Sequence, residues 1–164
     1  MGGMLAVLSG MFPLTACSYD EKAGWDKYAL TMPVSRKQMV LSKYVLGLAV
    51  LFAGLLVSVI VNIVMKTEMT AILMAHCAFL AVGLFEISLL VPITFKLGTE
   101  KARIAIILCY LIPAFAVMIL EDLPLPVLDE ATIKLLMYSL PVAALCLCVV
   151  SAFVSMRIYA NKEF

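Results

Sequence analysis

Long uncharged apolar runs alternate along this chain with short clusters of charge. The runs are Met1 to Tyr19, Tyr44 to Met65, Met69 to Phe95, Ile104 to Leu120 and Leu135 to Met156. Each comes close to the roughly 17–25 residues that a helix, rising about 1.5 Å per residue, needs to cross a hydrocarbon core. In four of them no charge intrudes, and the run over 69–95 holds Glu86 alone. Strands of a membrane barrel would alternate apolar and polar residues instead of running continuously apolar. The pattern therefore predicts an all-α integral membrane protein. It is a single transmembrane domain over 1–164, with five transmembrane helices at about 1–19, 44–65, 69–95, 104–120 and 135–156. The third is long enough to tilt, and the connecting segment over 20–43 is the longest.

Composition fixes the solvent. Apolar residues make up 65% of the 164 and mean hydropathy is +1.11, well above the roughly 45–50% apolar content of ordinary globular chains. A water-soluble fold of this size has too little polar surface to cover that content, so the surrounding medium is lipid. The charges then set orientation. Lys22, Lys27, Arg36, Lys37 and Lys43 follow the first span, Lys96, Lys101 and Arg103 follow the third, and Arg157 and Lys162 follow the fifth. The intervening loops hold only Lys66 and Lys134. By the positive-inside rule the richer set is cytoplasmic, which puts the start outside and the C-terminus inside. The outer stretch from Glu121 to Glu130 is purely acidic, with Glu121, Asp122, Asp129 and Glu130. Net charge is only +1, and no nucleic-acid partner is expected.

Motifs for chemistry are missing. Leu14-Thr15-Ala16-Cys17 resembles a lipoprotein box, but no basic residue precedes its apolar run. Gly2 lacks the Ser or Thr that acylation needs at position six, which is Ala6. Cys17, Cys77, Cys109, Cys146 and Cys148 form no Cys-x-x-Cys pair, and the lone His76 cannot complete a four-ligand site, so no metal site is expected and the cysteines read as small apolar filling. There is no phosphate loop, nucleophile elbow or His-Glu-x-x-His pair. No catalytic residue is assigned, and any nucleotide hydrolysis belongs to a partner.

The segment over 20–43 is the informative one. Trp25, Tyr28 and Met32 recur at three- and four-residue steps and would share one face of a short helix. Met32 must lie at or beyond its end, because Pro33 disfavours helical geometry in the residue before it. Ser35 and Gln38 form a capping box for the next helix, with Val34 and Met39 spaced as a hydrophobic staple. Arg36 and Lys37 fall in its first turn, where the helix dipole disfavours cations, and lipid phosphates are their expected compensation. The short aromatic helix fits two readings, an interfacial helix resting among headgroups or a docking helix for a groove on a soluble partner.

Within the spans, Gly47, Gly54, Ser58 and Asn62 fall on one small, mildly polar helix face. Such a face lets another helix approach closely, inside the subunit or across a dimer. Glu86 lies roughly 24 Å along its helix from Thr70 at about 1.5 Å per residue. An intramembrane carboxylate should face the bundle interior or a water-filled cavity, as part of a transport path or proton site or as a hydrogen-bonded link to a neighbouring helix. His76 sits on a different side of the same helix and is not its partner. Pro92, Pro113 and Pro141 should kink their spans or free carbonyls, and Pro124 and Pro126 stiffen the outer loop.

Ser18-Tyr19-Asp20-Glu21-Lys22, Gly24-Trp25-Asp26-Lys27-Tyr28, Leu30-Thr31-Met32-Pro33-Val34-Ser35-Arg36-Lys37 and Ser42-Lys43-Tyr44 resemble the membrane subunits of bacterial ATP-binding cassette (ABC) exporters of the type 2 class. The likeness is strongest to the small permeases common in Gram-positive bacteria. Ser155-Met156-Arg157-Ile158-Tyr159 with Lys162-Glu163-Phe164 is similar to their ending. The resemblance covers most of the chain in hydropathy and these stretches in specific residues. It implies a six-span subunit that pairs with a second permease subunit, as homodimer or heterodimer, and binds cytoplasmic ABC ATPase subunits that hold the ATP and Mg. The five spans here would correspond to spans two to six, with the first helix missing. Coupling to the ATPase would fall on Trp25, Asp26, Lys27, Tyr28 and Leu30, with Gly98, Glu100, Lys101 and Arg103 as a second cytoplasmic contact. The function implied is export of amphipathic or antimicrobial peptides, or of lipids or drugs, across the bacterial plasma membrane. The alternatives are a proton-coupled transporter using Glu86 and a non-transporting immunity or scaffold protein.

Overall fold

The computed structural model describes residues 2–29, 31–65, 69–120 and 129–161. Leu30, the stretch 121–128 with Pro124 and Pro126, and the side chains of Asp26, Lys27, Pro113 and Glu130 lie outside that description. The described residues form helices: α1 (Gly2–Lys22), α2 (Trp25–Ala29), α3 (Arg36–Val64), α4 (Met69–Leu97), α5 (Thr99–Leu120) and α6 (Glu130–Ala160).

Their limits overrun the apolar runs. α3 begins at Arg36 and passes without a break into the apolar stretch, and α1 continues to Lys22. The connection between them is thus reduced to the α2 turn region. Charge marks where a helix leaves lipid, but Lys, Arg, Glu and Gln are good helix formers, so leaving lipid does not end the helix. Chain-breaking geometry ends it instead. Gly24, between α1 and α2, and Gly98, between α4 and α5, both have positive φ, at 63° and 87°, a region that costs a residue with a Cβ about 1–2 kcal/mol. α3 starts where expected: the Ser35 hydroxyl accepts the Gln38 N–H while the Gln38 side chain reaches back to the Ser35 N–H at 2.8 Å.

α4 is the axis of the bundle, packing on α1, α3, α5 and α6, and α3 also meets α1 and α6. Among the described residues no Cα of α5 comes within 8 Å of one of α6. The main core joins Val40, Tyr44 and Leu51 of α3, Phe79, Ile87 and Val91 of α4, and Tyr159 of α6, with a smaller cluster of Leu14, Leu90, Ala102 and Ile106 around α5. Phe95 and Tyr159 meet edge to face at 5.0 Å. Outer faces are equally apolar: Phe52, Leu56, Ile60 and Ile63 form an exposed stripe on α3, and Val142, Leu145, Val149 and Phe153 one on α6. A helix that is apolar all round belongs in a membrane or a large core. Among the described residues, Arg36–Val64, Ile72–Leu97 and Lys134–Ala160 are long and apolar enough to cross a membrane. Pro13, Pro92 and Pro141 lie within α1, α4 and α6.

Candidate coupling site and transmembrane cleft

α2 is a single turn held between Gly24 and Pro33. Its Ala29 is buried in the main core, whereas Trp25 and Tyr28 are 43% and 57% exposed. Their ring centroids lie 5.6 Å apart, so the two form one outward aromatic patch. Met32 sits beyond the helix, in a turn where the Thr31 N–H donates to the Tyr28 carbonyl (3.0 Å) and the Met32 N–H to that of Ala29 (3.1 Å).

The last turn of α1 carries α2 and grips two other helices. Asp20 forms an ion pair with Lys43 of α3. The Glu21 carboxylate accepts the Thr99 N–H at 3.0 Å, at the first residue of α5, where a helix has donors without intrahelical acceptors and a dipole that favours an anion. Gly98 makes room for this: a Cβ there would come 3.3 Å from Glu21 Oε1. Arg103 donates to the Ser18 hydroxyl at 3.4 Å. Of the expected second contact, Gly98 and Arg103 thus meet α1, and Glu100, Lys101 and Arg103 are all exposed. The Glu21 to Thr99 bond spans 78 positions, and only the glycine between two apolar runs hinted at a special turn.

The beginning of α3 and the end of α6 are joined in the same way. Arg36 donates to the carbonyl of Ala160 at 2.7 Å and, more loosely, to that of Tyr159. Arg36 therefore finds compensation within the protein, where lipid phosphates were expected. Its partner is the C-terminus of α6, whose unpaired carbonyls and negative dipole end suit a cation. Two turns further on, the Tyr44 hydroxyl meets those of Ser151 (2.8 Å) and Ser155 (2.9 Å), and Ser151 donates to the Ser88 carbonyl of α4. This buried polar junction of α3, α4 and α6 was missed from sequence. The four-residue spacing of Ser151 and Ser155, which aligns two hydroxyls on one helix face, was the available signal.

The small face of α3 turns inward. A Cβ at Gly47 would meet Ile87 of α4 and Pro13 of α1 at 3.2 Å, and one at Gly54 would meet Phe79 at 3.1 Å. Ser58 is buried, and Asn62 donates to the Ser58 carbonyl at 2.8 Å. His76 Nδ1 lies 2.6 Å from the Ile72 carbonyl of its own helix, so it carries the proton there, and Nε2 is buried without a partner among the described residues.

Glu86 is 4% exposed. It borders a cleft of about 670 Å³ bounded by α4, α5 and α6, where the α5 and α6 backbones are more than 8 Å apart. Its other walls are almost wholly apolar, with Ala78 and Phe85 on α4, Cys109 and Tyr110 on α5, and Leu140 and Leu147 on α6. The Tyr110 hydroxyl is buried without a hydrogen-bond partner among the described residues.

No group of three or more metal-ligating side chains occurs among the described residues. No curated protein and no solved structure matches the chain. The family model of the ABC-2 family transporter proteins matches residues 1–160. Almost the whole bundle, from α1 through the Arg36-capped end of α6, falls within that match, and the chain belongs to the ABC-2 transporter family as a multi-pass permease subunit, a transport component distinct from the ATPase subunits it works with.

Proposed function

We propose that this chain is the translocation subunit of an ATP-driven exporter and that α2 is where the ATPase pushes. The observation that carries this is the exposed Trp25–Tyr28 pair on a turn rooted in the end of α1. From there Asp20 and Glu21 hold α3 and α5 directly. Force on α2 reaches three helices through one polar joint. ATP and Mg stay on the partner, which alone hydrolyses.

α1 and α5 complete five spans with the three long apolar helices. α1 has 21 residues, about 31 Å at about 1.5 Å each, enough for a core about 30 Å thick. The basic clusters put α2, Gly98 and the end of α6 on the cytoplasmic side of a bacterial plasma membrane. Two permease subunits pair around the path, and amphipathic peptides are the favoured cargo, with lipids or small drugs next.

Trp25→Ala with Tyr28→Ala tests the coupling role. Co-purification of the ATPase in detergent should fall about tenfold or more, since buried aromatic anchors each contribute about 2 kcal/mol or more at interfaces. Membrane insertion should be unchanged. Full retention of the ATPase by the double variant would overturn the assignment.

A further inference from the structure

We propose that Pro92 is a latched hinge in α4, with the Ser151 hydroxyl of α6 as the latch. The hinge goes beyond the exporter reading and rests on it only for making the bend a step of transport. Pro92 has no N–H, so the carbonyl four residues earlier, that of Ser88, loses its helical partner, and the proline ring crowds it. α4 nonetheless runs unbroken from Met69 to Leu97. Ser151 supplies the missing donor: its hydroxyl bonds the Ser88 carbonyl from the neighbouring helix, the kind of repair that makes proline tolerable where water is absent.

That carbonyl fixes the direction of the whole polar junction. A carbonyl only accepts and a serine hydroxyl has one proton, so Ser151 donates to Ser88 and accepts from Tyr44. Tyr44, its own proton thus engaged, accepts from Ser155. Three helices share a one-way chain that ends on the carbonyl Pro92 left open, and members of such a chain polarise one another. A helical amide cannot leave its carbonyl without unwinding the turn, whereas a hydroxyl on another helix can.

Neighbouring residues favour bending at the same place. Ser88 donates its own hydroxyl to the Phe85 carbonyl at 2.7 Å, and Thr94 donates to that of Leu90 at 2.8 Å. Such bonds to the preceding turn often bend helices. Beside the latch, a groove of about 260 Å³ lies between Leu89 and Pro92 of α4 and Val150 and Val154 of α6, so side chains do not close this side. Past Pro92, Phe95 stacks on Tyr159 and holds the end of α4 to α6. The moving arm is therefore the one from Pro92 back to Leu73, about 28 Å at about 1.5 Å per residue, and a kink of about 20° carries its far end about 10 Å.

Spin labels at Leu73 of α4 and Leu136 of α6, both exposed, read that movement as a distance by pulsed electron paramagnetic resonance. The sample is the purified chain in nanodiscs with its five cysteines replaced by alanine. Ser151→Ala should enlarge the population displaced by about 10 Å about 3-fold and at most about 20-fold, because hydrogen bonds between membrane helices average about 0.6 kcal/mol and reach about 1.7. Ser151→Thr, which keeps the hydroxyl, should match the parent. Pro92→Ala restores the helical N–H, so Ser151→Ala added to it should change nothing. An unchanged distribution in Ser151→Ala, or an equal shift with and without Pro92, would overturn the proposal. If Ser151→Ala does not fold alone, rescue by Pro92→Ala supports the latch, and failure of the pair to fold overturns it. No ATPase is present in this assay, so a negative result leaves the coupling assignment standing, and retention of the ATPase by the Trp25 and Tyr28 variant leaves the hinge standing.

Discussion

Near α2, helix junctions are made by polar pairs: Asp20 with Lys43, Glu21 with the Thr99 N–H, Arg36 with the Ala160 carbonyl, Tyr44 with Ser151 and Ser155. Around Glu86, along the same α4 and α6, the walls are alkyl and aromatic, and α5 and α6 stand apart. In lipid this difference matters more than it would in water. Hydrocarbon tails solvate Leu140 or Phe85 as well as another helix does, so apolar faces there have no hydrophobic reason to close. A hydrogen bond between helices has direction and a fixed length. The bundle is therefore clasped by polar contacts at the α2 end and lined by apolar side chains around the cleft.

The contrast can be broken by substitution. Glu21→Ala should have the largest effect, lowering stability in detergent by about 1.5–3 kcal/mol as a bond to a charged acceptor is lost. Transport should fall with it while the ATPase still co-purifies, because α2 remains and its link to α5 is gone. Tyr44→Phe comes next, at about 0.6 kcal/mol and at most about 1.7, the average and the maximum for hydrogen bonds between membrane helices, read as a lower melting temperature. Leu140→Ala on the cleft wall should cost least, within about 0.5 kcal/mol, since the residue is exposed and leaves no buried void. Equal losses from Glu21→Ala and Leu140→Ala would show that the two regions are held alike.

What could be read from the residues was whatever is local. The apolar runs located the long helices, Ser35 with Gln38 located the start of α3, and Pro33 limited the helix before it. Family membership too was legible, because the aromatic and basic residues between Ser18 and Tyr44 carry it. Pairings between distant positions were not legible. Tyr44 and Ser155 are 111 positions apart and Arg36 and Ala160 are 124 apart, and a hydroxyl or a guanidinium does not announce which helix end it will meet. Glu86 was conspicuous as a lone acid, yet the cleft beside it lies where the α5 and α6 backbones are more than 8 Å apart. No periodicity encodes that separation.

The chain has one tryptophan, and it stands on α2. Ultraviolet emission excited selectively at indole thus originates from a single site at the outward aromatic patch. Engagement of a partner would dry the ring and shift its colour toward blue without any added dye. The permease thus carries its own lamp on the aromatic patch proposed to meet the ATPase, so that contact there can be followed without any label.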